Sequence, residues 1–232
     1  MAHFLLIHGA SHGAWCWDRL RPELAARGHS TNAIDLPGHG EDDTPRHSVR
    51  MADYVARTLN ALDPHTILVG HSFGGFPITL AAARAPEKVR ALVYVCALVP
   101  RPGQAFTAFR ADAISQDLSQ AQTVDRDAGV TRAIPEKAGS VFYSDCSPED
   151  RDWALERLTP QPIAVMTEPV EFTPPDPPRH YVRCLKDRVI YPAFQEAITQ
   201  GWDHVYDMNT GHSPFLSDPG GLADILDRIA ST

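Results

Sequence analysis

The stretch Val69-Gly70-His71-Ser72-Phe73-Gly74-Gly75 constrains the fold more than any other. It follows a short apolar run, Thr66 to Val69, and precedes a helix-like run, Pro77 to Ala85. That order reads as strand, tight turn and helix, with a serine at the apex. Gly70-x-Ser72-x-Gly74 has the spacing of a nucleophile elbow, in which a sharp turn lifts the serine hydroxyl clear of a sheet. Glycines two before and two after the serine keep Cβ atoms out of a crowded turn. The helix that follows directs backbone N–H groups toward the place where an oxyanion would form. The same spacing occurs by chance in loops, so its seat between a buried strand and a helix is what makes it informative.

The run before the elbow is one of six that read as strands. Phe4 to Ile7 is apolar throughout and ends at His8-Gly9, as a strand buried on both faces of a parallel sheet would. Ser30 to Leu36, His65 to Gly70, Ala91 to Val99, Tyr181 to Leu185 and His204 to Met208 complete the series. Helical spacing lies between them: Asp18 to Arg27, stopped by Gly28; Met51 to Leu62; Phe73 to Ala85, closed by Pro86; Ala193 to Gln200; and Pro219 to Ile229. The alternation predicts an α/β fold on a mainly parallel, doubly wound, six-stranded sheet with right-handed crossovers. It breaks at Pro100-Arg101-Pro102-Gly103. From there to Pro178 no buried strand is evident. Ala108 to Leu118 and Pro148 to Leu158 read as short helices, and Pro174-Pro175-Asp176-Pro177-Pro178 as a stiff connector. Residues 1–99 and 179–232 are expected to form the core, and 100–178 an inserted, mostly helical cap over the C-terminal edge of the sheet.

Open α/β sheets bind ligands beyond the carboxyl ends of their strands. The polar residues found there are the loop His8 to His12, Asp35, Ser72, Asp187 and His212. Three of them suit a serine hydrolase. Ser72 would attack a carbonyl, His212 would take and return its proton, and Asp187 would orient the imidazole. The chain order Ser, Asp, His is that of α/β-hydrolases. Asp203 and Asp207 are rivals for the acid, but one precedes the last strand and the other lies within it. An oxyanion hole needs two N–H donors. Phe73, after the nucleophile, supplies one, and Ala10, in the loop after the first strand, the other. Gly9 is expected to allow the sharp turn that aims the Ala10 amide inward. His12, Phe76 and Phe215, near these loops, are candidate pocket residues. Cap residues Phe106, Phe109, Phe142, Tyr143, Trp153 and Met166 are candidates for its wall or for cap core.

A chain of 232 residues is long enough for one domain with a large core. The formal net charge of -8 argues against nucleic acid or an anionic membrane surface as partner. Four cysteines, Cys16, Cys96, Cys146 and Cys184, are far apart and read as reduced thiols. The N-terminus lacks a basic region and its apolar run is too short for a signal peptide, so a cytoplasmic protein is expected. Eleven histidines raise the question of a metal, but no H-E-x-x-H or Cys/His cluster occurs. Neither metal nor cofactor is expected. Oligomeric state is open, with a homodimer as the alternative to a monomer.

The segment His8-Gly9-Ala10-Ser11-His12-Gly13-Ala14-Trp15-Cys16-Trp17 resembles the N-terminal signature of the plant methylesterase and hydroxynitrile lyase branch of α/β-hydrolases. Gly70-His71-Ser72-Phe73-Gly74-Gly75 resembles that branch's elbow, and Cys146-Ser147-Pro148-Glu149-Asp150 a segment of its cap. Lys186-Asp187-Arg188-Val189-Ile190, followed by Pro192, resembles the segment that carries its acid, which again implies Asp187. The likeness runs through nearly the whole chain, as in a bacterial, esterase-like member of the branch. It implies the α/β-hydrolase fold. Two departures separate the chain from the lyases. They place a threonine beside the first histidine of the signature, where this chain has Gly9. They also carry a lysine after the catalytic histidine, where this chain has Ser213. That lysine serves the cyanide leaving group. A methylketone-forming relative has lost the serine that this chain keeps as Ser72.

The expectation is therefore a carboxylesterase that cleaves small, largely apolar carboxylic esters through an acyl-enzyme. Two alternatives stand beside it. One is a carbon–carbon lyase of the hydroxynitrile lyase kind. The other is a small-molecule receptor with a vestigial triad.

Overall fold

In the computed structural model, residues 1–109 and 113–232 are described. Strand β1 (His3–Ile7) pairs in parallel with β2 (Ser30–Ile34) on one side and β3 (Thr66–His71) on the other. Beyond β3 follow β4 (Val89–Val95), β8 (Arg179–Cys184) and β9 (Val205–Met208), every pairing parallel. The order β2-β1-β3-β4-β8-β9 is the expected six-stranded sheet. All six residues of β3 are buried, and β1 and β4 are buried over most of their length. This explains why those runs lack a polar alternation: both faces are covered, and each large apolar side chain removed from water contributes about 1.5–3 kcal/mol.

The helices between the strands follow from their caps and stripes. Helix α1 (Leu20–Ala26) buries Leu20 and Leu24 and ends before Gly28, at φ +80°. In α2 (Met51–Asn60) the first turn is closed by the Asp53 carboxylate, which accepts from the Arg50 N–H at 2.8 Å. Helix α3 (Gly75–Arg84) is apolar and buried almost all round, as a helix inside the molecule must be. Its early Pro77 costs no intrahelical hydrogen bond. After β8 come α8 (Pro192–Ile198) and, past β9, the short α9 (Pro214–Ser217). In α10 (Pro219–Ala230), Asp218 caps the Gly221 N–H at 3.0 Å while Leu222, Ile225, Leu226 and Ile229 face the core.

Between β4 and β8 the chain forms α4 (Gln116–Gln120), α5 (Pro135–Phe142), α6 (Pro148–Leu155) and α7 (Ala164–Thr167). It also forms a separate antiparallel sheet, β5 (Gln122–Asp125), β6 (Val130–Ala133) and β7 (Gln161–Pro162), in the segment where the sequence shows no buried strand. Strands β5 and β6 are short and half-exposed, so they leave no apolar run in the sequence. The helix expected over Ala108–Leu118 is not continuous. A 3-10 turn at Phe106–Ala108 precedes residues 110–112, which lie outside the described residues, and α4 follows. Antiparallel bridges Gln104–Val170 and Ile114–Ile190 tie the segment to itself and to the loop after β8.

Candidate active site

Ser72 stands at the junction of β3 and α3 with φ at +53°. That conformation is uncommon for a side-chain-bearing residue and stores on the order of 1–3 kcal/mol of strain. The glycines around it are required by contact distances. A Cβ on Gly70 would lie 2.6 Å from the Gly74 carbonyl oxygen, and one on Gly74 would lie 2.8 Å from the carbonyl oxygens of Ile7 and His8. One on Gly75 would overlap the Leu98 carbonyl oxygen. The elbow is thus wedged between the ends of β1 and β4.

Three side chains converge on this apex. His212 Nδ1–H donates to Asp187 Oδ2 at 2.9 Å, and His212 Nε2 lies 3.1 Å from Ser72 Oγ. The first bond leaves Nε2 as the acceptor facing the serine hydroxyl. Asp187 is 4% exposed, and its carboxylate takes four donors. Val189 N (2.7 Å) and Ile190 N (3.0 Å) donate to Oδ1, while Gln195 Nε2 (3.0 Å) and His212 donate to Oδ2. Those donors fill its acceptor sites and fix the carboxyl plane. The rivals lie elsewhere: Asp207 is paired with Arg183 at 2.6 Å across β8 and β9, and Asp203 is exposed.

The loop after β1 faces the elbow. The Gly9 carbonyl accepts from His8 Nδ1–H at 2.8 Å and from the His12 N–H at 3.3 Å. In a trans peptide the C=O and N–H point in opposite directions, so this clamp turns the Ala10 N–H the other way. Ala10 lines the cavity over Ser72, as does Phe73. Phe73 lies in the opening 3-10 turn Ser72–Gly74, whose leading N–H groups have no partner inside the turn. The reason for glycine at position 9 differs from the expectation. Its φ lies outside the left-handed region, so the turn itself does not demand glycine. Proximity does: a Cβ there would sit 2.8 Å from His71 Nδ1 and 3.0 Å from Ser72 Cβ.

The cavity over these groups measures about 200 Å³. Its walls include Leu98, Phe106, Ile114, Leu118, Phe142 and Met166, and no Asp, Glu, Lys or Arg side chain lines it among the described residues. Of the candidate pocket residues only His12 reaches it; Phe76 and Phe215 do not. Both phenylalanines are fully buried beneath the site. Phe76 stacks behind Phe73 with ring centroids 5.2 Å apart, and Phe215 packs edge-on to His71 at 4.8 Å. Among the cap aromatics, Phe109 lies 6.0 Å from Phe76, and Trp153 packs against Trp15 and under Arg157. The Tyr143 hydroxyl instead bonds His12 Nε2 at 2.8 Å. Ser213, at the position of the lyases' lysine, is fully buried and does not line the cavity.

Several histidines around the site are buried and neutral. Desolvation lowers His12 to about 3 and His8 to about 4, outweighing their bonds to the carbonyls of Ala10 and Gly9. Burial also holds His71 and His39 well below the usual range. Among the described residues His71, Cys96 and His212 lie close enough to suggest a metal site. Hydrogen bonds account for the grouping. His71 Nε2–H (2.8 Å) and Cys96 Sγ–H (3.4 Å) both donate to the His212 carbonyl, and the His212 ring is engaged by Asp187 and Ser72.

Some supporting residues escape sequence reading. Gln195 accepts from the Cys184 N–H at 2.9 Å and donates to Asp187 and to the Ile190 carbonyl. Its only signal is a polar residue beside Phe194 and Ile198 in a helix. Asp145 of the cap accepts from the Gly211 N–H at 2.6 Å, and His71 braces the loop from below; neither has a local signature.

Comparison with known proteins identifies the family of the fold. The profile of the Alpha/beta hydrolase family matches residues 4–225. Methylesterase 18 of Arabidopsis thaliana is 31% identical over 256 residues, covering 99% of this chain and 97% of its own. A pheophorbidase of Raphanus sativus is 31% identical, covering 100% and 95%. Among solved structures, a pyrethroid hydrolase from Sphingobium faniae JZ-2 superposes with a TM-score of 0.86 at 26% identity, covering 100% of this chain and 98% of that one. No helix among the described residues is long and apolar enough to cross a membrane. Fold, strand order and these relatives together make the chain a member of the alpha/beta hydrolase family, within its esterase and methylesterase relatives.

Proposed function

We propose that the protein hydrolyses small, largely apolar carboxylic esters through an acyl-enzyme on Ser72. Ser72 Oγ attacks the ester carbonyl as its proton passes to His212 Nε2, and the imidazolium is held by the Asp187 carboxylate. The tetrahedral oxyanion is received by the N–H groups of Ala10 and Phe73. His212 then protonates the leaving alcohol. In the second half a water loses its proton to His212 and releases the acid. The observation that carries this reading is the hydrogen-bonded chain Asp187–His212–Ser72 opening onto a mostly apolar cavity with no Asp, Glu, Lys or Arg among its described lining residues. Among the described residues no Asp, Glu, Lys or Arg side chain in that lining would pair with a charged acyl or alcohol group, and about 200 Å³ is small beside sites for drug-sized ligands of roughly 300–1,000 Å³. The methylesterase relative makes methyl esters a natural starting set.

The test is an ester panel that varies acyl and alcohol groups separately, run with wild type and Ser72→Ala. Turnover of small neutral esters, lowered roughly 10⁶-fold in the variant, is expected, the scale known for loss of such a serine. Ester turnover that survives in Ser72→Ala, or a wild type inert toward the whole panel, would sink the proposal.

A further inference from the structure

The cap does more than wall the cavity. Its segment Thr159-Pro160-Gln161 grips the loop after β1 at Ser11, the residue that follows Ala10. The Ser11 N–H donates to Gln161 Oε1 at 3.1 Å, and the Ser11 carbonyl accepts from the Thr159 N–H at 2.8 Å. Ser11 is 2% exposed, Gln161 is 1% exposed, and Ser11 has φ at +64°. A residue with a side chain holds that conformation only where its surroundings over-determine it. Here the surroundings are the two cap residues.

The donors form a closed circuit. With Oε1 accepting from Ser11, Gln161 Nε2–H faces the Pro162 carbonyl at 3.2 Å and the Tyr54 hydroxyl oxygen at 3.4 Å. Tyr54 then donates to His39 Nε2 at 2.7 Å, and His39 Nδ1–H donates to Thr159 Oγ1 at 3.0 Å. Thr159 Oγ1–H reaches back to the Ser11 carbonyl at 3.5 Å. The Ser11 N–H can only donate, so Oε1 must face it and the amide of Gln161 cannot flip without losing that bond. The peptide between Ala10 and Ser11 is thereby held at both ends: its carbonyl accepts from His12 Nδ1–H at 2.8 Å and its N–H is held by Gln161.

We propose that Gln161 is a positioning residue for ester hydrolysis, aligning the Ala10 N–H by fixing the Ala10–Ser11 peptide from the cap. The inference rests on the reading of Ala10 as an oxyanion donor given above. It makes the cap part of the geometry of the transition state. Loss of Gln161 would leave Ser11 strained with a buried, unpaired N–H, and the loop would relax away from the productive geometry.

The experiment compares wild type, Gln161→Met and Leu24→Val. Methionine keeps the volume of glutamine without its polar atoms, and Leu24 is a buried residue of α1 outside the cap that controls for stability loss alone. Two readouts are taken: initial rates on a short p-nitrophenyl ester, and amide hydrogen exchange of the peptide spanning residues 8–13. Gln161→Met is expected to exchange faster in that peptide and to lose kcat by about 10- to 100-fold. That is less than the roughly 100- to 1,000-fold for deleting an oxyanion donor outright. KM should stay within about twofold, since the ground state does not use the hole. Leu24→Val should lower the melting temperature with kcat unchanged. Unchanged exchange, unchanged kcat, or an equal kcat loss in Leu24→Val would each overturn the proposal. If Gln161→Met does not fold, Tyr54→Phe opens the same circuit farther from Ser11. It should then show a smaller kcat loss with KM unchanged, and wild-type kcat in it would overturn the proposal. A wild type that turns over no ester defeats the reading of function instead. The exchange readout, which needs no turnover, still judges the brace.

Discussion

Gly9→Ala offers a sharp test of how tightly the elbow and the β1 loop are fitted. Gly9 has no special backbone angle to lose, so the substitution acts through one added methyl group alone. That carbon would lie 2.8 Å from His71 Nδ1 and 3.0 Å from Ser72 Cβ, where ordinary contact begins at 3.4 Å. The ring must therefore retreat by about 0.6 Å, and the serine Cβ by about 0.4 Å, or the loop must lift by as much. His71 cannot yield freely, because its Nε2–H is bonded at 2.8 Å to the carbonyl of His212. Its Nδ1 has no hydrogen-bond partner among the described residues, so the methyl breaks no bond and the effect is steric. Displacement is passed to both nucleophile and base. Overpacking of this kind costs about 1–3 kcal/mol in stability. A misplacement approaching 1 Å in a reacting group costs up to about 100-fold in rate. We expect kcat for a short p-nitrophenyl ester to fall by about 10- to 100-fold, with KM changed less and the melting temperature lowered. Threonine, which the lyase signature carries here, should be worse still and should yield no cyanide release from mandelonitrile. A Gly9→Ala enzyme with kcat within about twofold of wild type would refute the reasoning.

Asp187→Asn should lower kcat by about 10⁴-fold with little change in KM, measured with the same ester. The reason is orientation: every neighbour of the Asp187 oxygens is a donor, so the NH₂ of asparagine must face either His212 Nδ1–H or the backbone amides of Val189 and Ile190. Wild-type tautomer occupancy in the variant, seen as unchanged kcat, would contradict it. Acid should destabilise the fold before it protonates the carboxylates. His8, His12, His39 and His71 are held below an unfolded value near 6.5 chiefly by desolvation, His12 at about 3 and His8 at about 4. The unfolded chain therefore binds more protons as pH falls below 6.5. Stability complete above that pH is lost on descending toward about 3, at up to about 1.4 kcal/mol per pH unit for each histidine. A melting temperature that stays level from pH 7 to pH 4.5 would count against these burials.

The parts of the site that could be read from the sequence share one property. Ala10, Ser72, Asp187 and His212 each sit within a few residues of the C-terminal end of a strand, β1, β3, β8 or β9; the first three strands are mostly buried, while β9 is half-exposed. The sheet then brings them together by a rule that holds for any such topology. The phenylalanines fail the same reading because nearness in sequence does not fix the direction of a side chain. Phe76 on α3 and Phe215 on α9 both turn into the core beneath the loops. The cap fails it for a different reason. Its strands are too short and exposed to form a pattern, and its contacts join residues far apart: Tyr143 to His12 across 131 positions, Gln161 to Ser11 across 150, and Asp145 to Gly211 across 66. No local signal marks them, since each is an ordinary polar residue whose partner is chosen by the tertiary fold. Yet these three contacts land on the two loops that carry the proposed oxyanion donor and base. On the proposed reading the sheet supplies the reacting groups, while the cap limits how far the loops bearing them can stray. Selectivity and turnover are for that reason coupled in this fold: a cap remodelled to admit a larger ester must keep Gln161 and Asp145 on their partners, or it widens the cavity at the expense of the geometry beneath it.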